Sequence, residues 1–191
     1  MTEFVNDKQQ VREQRIAAAK RAKLLRRAGG LAVAAILIAG GIYLLARSGP
    51  RASEKLSGAT FPDQGREHVV VGTPFQYNSN PPTSGPHAGN PAEWGLYSEE
   101  FPDQVLIHNL EHGGIWISYR PGVDAAIISK LEVITREFGR KVIMAPRAAN
   151  DADIALAAWT HLDTFSVAEF SEERVRKFIQ VYRNKGPEFV P

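Results

Sequence analysis

The chain has 191 residues, 43% hydrophobic and 23% charged. That excludes a disordered composition and leaves room for one ordinary domain with extensions. Its net charge of +2 is unevenly placed: residues 1–27 hold eight Lys/Arg against three acids, so the remainder is net acidic, which argues against a nucleic-acid-binding face and for a basic tail.

The tail runs into "AGGLAVAAILIAGGIYLLA", residues 28–46, without a single charge. As a helix this run reaches roughly 28 Å, about the thickness of a bilayer core. It has no polar face, unlike a helix packed on a core. The long basic flank and the lack of an A-x-A site favour an uncleaved signal anchor over a cleaved secretory signal. Lys and Arg cluster on the cytoplasmic side of a span, so residues 1–27 are expected inside. Residues 47–59, rich in Ser, Gly and Pro, read as a linker, and residues 60–191 as an extracytoplasmic domain. The chain has no cysteine. The exported domain must therefore be held by its core or by a metal, and lipoprotein anchoring is excluded.

Within the domain, Val69–Val71 reads as a short strand with His68 at its start. "NSNPPTSGPHAGNPAEWG" follows, a long irregular loop with four prolines and three glycines, flanked by Tyr77 and Trp94. "QVLIH" and "GIWISY" read as two β-rich runs joined by a wide connection. Ile127, Leu131, Ile134 and Phe138 fall on one helical stripe, opened by Asp124 and closed by Gly139. "KVIMAP" and "DIALAAW" read as strands. A second helix follows Ser171, with Glu172 and Glu173 at its positive end and Val175, Phe178, Ile179 and Tyr182 on its buried stripe. The expected fold class is α+β: a small mixed or antiparallel sheet with two packed helices and a long Pro/Gly loop.

Histidine placement carries the chemistry. All five histidines lie beyond the apolar run, and His68, His87, His108 and His112 sit beside glycine, proline, polar turns or strand ends. Imidazole suits copper and zinc, so these four form a candidate metal site, copper before zinc, with Glu111 orienting an imidazole. Met144 offers a soft thioether, although a buried strand position is the better explanation for it. "HNLEH" also matches the H-x-x-E-H pattern of zinc peptidases, in which His108 and His112 bind zinc and Glu111 polarises a water. That pattern needs a helix, and the flanks "VLI" and "GGIWISY" favour strand. A third reading is a non-catalytic module of the cell envelope, whose histidines only hydrogen-bond its loops and whose partner is another envelope protein.

"PPTSGPHAG", "HNLEHGGIWISYRP", "AAW" and "FIQVYRNKGPE", in that order, resemble the uncharacterised bacterial family catalogued as domain of unknown function 3105. The resemblance covers most of residues 60–191. It implies a single N-terminal span with an exported domain, and it marks Pro81–His87 and His108–Gly113 as the distinctive segments. It implies no activity.

Overall fold

The computed structural model describes Gly40 and residues 58–190. The basic tail, the apolar run (Gly40 apart) and most of the linker lie outside the described residues. Among the described residues, no helix is long and apolar enough to cross a membrane.

The described domain is α+β. Its strands are β1 (Ala59–Thr60), β2 (Gly95–Leu96), β3 (Ile115–Tyr119), β4 (Val142–Pro146), β5 (Ile154–Ala158) and β6 (His161–Phe165). Its helices are α1 (Asp103–Glu111), α2 (Ala125–Phe138) and α3 (Glu172–Tyr182), with a short 3-10 turn at Val167–Glu169. The strands form one mixed sheet in the order β1-β6-β5-β3-β4-β2. Strand β4 runs parallel to β3 and β2, while β3–β5, β5–β6 and β6–β1 are antiparallel.

Both faces of the sheet are covered, so strands β3 to β5 read as near-continuous apolar runs. One face carries Ile115, Ile117, Val142, Met144, Ile154, Leu156 and Phe165, packed against Leu131 and Ile134 of α2 and Val175, Phe178 and Ile179 of α3. The other carries Trp116, Ile143, Ala155, Ala157 and Leu162, packed against Leu106, Ile107 and Leu110 of α1. Tyr77 and Trp94, the aromatic flanks of the long loop, pack on this second core. Both expected helices are present with their caps: Asp124 accepts from Ala126 N, and Ser171 accepts from Arg174 N. Met144 lies in the first core, 2% exposed, beside aliphatic neighbours.

Three expectations are corrected. "QVLIH" belongs to helix α1, so the domain has three helices among its described residues. The apolar run Leu106–Ile107 suggested a strand because α1 is buried on two sides. Leu106, Ile107 and Leu110 face the sheet, while Gln104, His108 and Glu111, also buried, follow the i, i+4, i+7 rule on a polar stripe. Second, Val69–Val71 is not a strand. The ladder there is one parallel bridge, His68 with His87, and Val70 is 81% exposed as the chain enters a turn. Third, β6 is an unanticipated strand. Its buried Asp163 breaks an apolar reading, but that carboxylate receives a two-pronged contact from Arg174, at 2.8 and 2.7 Å.

Candidate metal centre

Three stretches that are remote in sequence meet at the polar stripe of α1. The backbone bridge sets residues 68 and 87 side by side: Val69 N donates to His87 O at 2.7 Å, and His87 N donates to Glu67 O at 2.9 Å. Gln104 fastens this layer to α1. Its Oε1 accepts from Gly72 N at 2.6 Å, its Nε2 donates to Thr73 O at 2.8 Å, and its carbonyl accepts from Ala88 N at 3.0 Å. Tyr77 Oη donates to Pro86 O, at 2.5 Å, and holds the loop just before His87.

His68, His87, His108 and Glu111 each offer one ligand atom, and these four atoms lie within 4.8 Å of one another. The His68 and His108 rings stack at 5.0 Å between centroids, and His87 meets both edge-on, at 5.1 and 5.2 Å. His87, His108 and Glu111 are buried, whereas His68 is exposed and forms the solvent side of the group.

Two of the rings are oriented by backbone carbonyls. His87 Nδ1 donates to Gly85 O at 2.8 Å, and His108 Nδ1 donates to Ala88 O at 2.6 Å. A carbonyl only accepts, so each Nδ1 carries its proton and leaves Nε2 to meet another group: Glu111 for His87 and His112 for His108. His87 Nε2 there lies 2.9 Å from Glu111 Oε2. Two acceptors at that distance are held together by a proton or by a cation. Burial, with the nearby His112 and His87, pushes His108 below the usual imidazole value, against the opposing pull of the Ala88 carbonyl and Glu111. This favours the neutral, ligating form. Arg66 Nε stands 3.8 Å from Glu111 Oε1 on the exposed rim.

His112 occupies a different position. It is the C-cap of α1, and its Nε2 lies 3.0 Å from His108 Nε2 and 3.5 Å from Glu188 Oε2. Glu111, His112 and Glu188 form a second group whose ligand atoms lie within 4.8 Å of one another. Glu111 belongs to both groups, and its Oε2 meets the His87 imidazole. Glu188 was not anticipated, because its place depends on a backbone approach that no spacing reveals. Just past α1, Gly113 lies in the left-handed region, φ 76°, and there Asn184 N donates to the Gly113 carbonyl and Glu188 N to that of Glu111, at 2.8 and 3.1 Å. A Cβ on Gly186 would overlap the Glu111 carbonyl and Gly113 N, so glycine alone permits the approach. His161, the fifth histidine, lies apart on β6, with Nδ1 2.8 Å from Trp159 O and its ring on Tyr182.

The donor chemistry fits a transition-metal ion: three imidazoles and one carboxylate converge, the two inner rings are oriented from behind, and one side is open. The helix that an H-x-x-E-H peptidase requires is present up to Glu111, but Glu111 Oε2 is engaged with His87 rather than turned to a free water position.

No curated protein and no solved structure matches the chain. A family match does cover residues 68–190, from the first histidine of the site to beyond Glu188, and by it the chain belongs to the family described as "Protein of unknown function (DUF3105)".

Proposed function

We propose that the domain binds one divalent transition-metal ion, copper before zinc, through His68, His87, His108 and Glu111. In this reading it holds or delivers that ion on the outer side of the membrane, anchored by residues 28–46. The observation that carries the proposal is the convergence of three imidazoles and one carboxylate, whose ligand atoms lie within 4.8 Å of one another, with the His87 and His108 rings oriented by backbone carbonyls and His87 Nε2 set against Glu111. Imidazole and carboxylate donors suit Cu²⁺ and Zn²⁺, and divalent copper is the tighter binder in the general affinity series. Met144 is packed in the opposite core and supplies no soft donor, which disfavours monovalent copper. The exposed His68 is the side from which an ion enters or is passed on.

The full chain, purified without chelator and loaded with Cu²⁺ or Zn²⁺, is expected to retain one ion per inner site. His87→Ala/His108→Ala is expected to lose it, while His161→Ala keeps it. Metal content unchanged by the double substitution would sink the proposal and leave the envelope-module reading, in which the histidines only brace their loops. Metal-dependent cleavage of peptide substrates, lost in Glu111→Gln while the ion stays bound, would favour the hydrolase reading.

A further inference from the structure

The donors do not end at the inner four. Next to them, Glu111, His112 and Glu188 bring one imidazole and two carboxylates together, with ligand atoms within 4.8 Å of one another. We propose that this outer group is a second metal position: it takes a divalent ion such as zinc and shares Glu111 with the inner site, so that the loaded domain holds two ions bridged by that carboxylate. The inference rests on the inner site proposed above, because Glu111 is the bridge.

The pair of carboxylates carries the argument. Glu188 N donates to the Glu111 carbonyl at 3.1 Å, so the backbone itself fixes one acidic residue against the other, in an approach that only a glycine at 186 allows. Like charges held this close repel unless a cation stands between them. Arg66 is half-exposed, and its Nε, 3.8 Å from Glu111 Oε1, is beyond hydrogen-bond reach. The spacing of the donors suits an ion. His112 Nε2 lies 3.0 Å from His108 Nε2 and 3.5 Å from Glu188 Oε2. Neighbouring ligands that each sit about 2.0–2.2 Å from one ion are roughly 3–3.5 Å apart. The two groups also touch twice, through Glu111 and through the edge-on rings of His108 and His112, 4.4 Å between centroids. Two ions that share a site are typically about 3.5–4 Å apart, which such contiguous donor sets can serve. A simpler cause, a hydrogen bond from His112 Nε2 to His108 Nε2, accounts for the ring contact. It puts no charge between the carboxylates and gives Glu188 no role. With one imidazole to two carboxylates, and with Glu188 exposed, the outer position is expected to bind more weakly than the inner one.

The full chain in neutral detergent, stripped with a chelator, is dialysed against Zn²⁺ and its metal counted. Two equivalents are expected, the second the weaker. Glu188→Gln keeps the size of the side chain and removes its charge, and His112→Gln removes the imidazole. Each is expected to hold one ion, with the melting temperature of the metal-free protein unchanged. A second measurement tests the bridge. The chain loaded with two equivalents of Cu²⁺ should show the half-field electron paramagnetic resonance signal of two coupled ions, and Glu188→Gln should lose it. A single equivalent in the native chain, lost in His87→Ala/His108→Ala, overturns the second position and leaves the inner site standing. No bound ion at all overturns both. Two ions that show no coupling, or that persist in both Glu188→Gln and His112→Gln, overturn the shared carboxylate.

Discussion

The two faces of the sheet are built by different means. On one, α2 and α3 lay regular apolar stripes over Ile115, Ile117, Met144 and Leu156, and packing dominates, with the Arg174–Asp163 and Arg176–Glu137 ion pairs beside it. On the other, Gln104, His108 and Asn109 of α1 bind the backbone of the loop of residues 68–94, and Tyr77 and His87 bind backbone within that loop. The first face is fixed by volume and the second by direction. A metal site needs direction, because a ring rotated away from its carbonyl no longer presents Nε2 to the same neighbour.

Substitutions on each face should therefore fail differently. The largest effect is expected from Phe178→Ala, which empties a fully covered position of the first face and should cost about 3–5 kcal/mol in chemical denaturation, with metal content per folded molecule unchanged. Loss of the ion in the folded variant would mean that the two faces are not separable. Tyr77→Phe deletes only the hydroxyl that holds Pro86, so it should cost about 1 kcal/mol or less. Its larger readout is metal affinity, which should fall in competition with a chelator as the His87 loop loosens. A variant with lower stability and unaltered affinity would show that Tyr77 braces the core alone.

The smallest effect is a pH slope. Burial lowers His108 below its unfolded value of about 6.5, so below that pH the unfolded chain takes up a proton that the folded one does not. Its contribution to stability is complete above about pH 6.5 and is lost as pH falls toward the folded value. The metal-free His108→Asn variant should show a flatter decline over this window than the metal-free native chain. An identical decline would remove His108 as the source.

The same division explains what the residues revealed in advance. The stripes of α2 and α3, with Asp124 and Ser171 as caps, were legible because a helix with one buried face repeats its apolar residues at 3.6. Helix α1 was not, because its polar stripe is buried too and its run Val105-Leu106-Ile107 imitates a strand. His68, His87 and His108 stood out by their polar, glycine-rich surroundings, and the structure brings them together with Glu111. What spacing did not separate was His112 from that group, or join it to Glu188, since both depend on how tightly the backbone passes at Gly186.

That close passage has a consequence for timing. The end of the ligand helix, Glu111 to Gly113, is fastened by Asn184 and Glu188, which are made long after it. A chain emerging from its N-terminal side presents all four histidines of the two groups before the segment that anchors Glu111 exists. Until then the backbone at the end of α1 lacks that fastening. Under the proposed function, full competence to hold an ion would come only with completion of the domain.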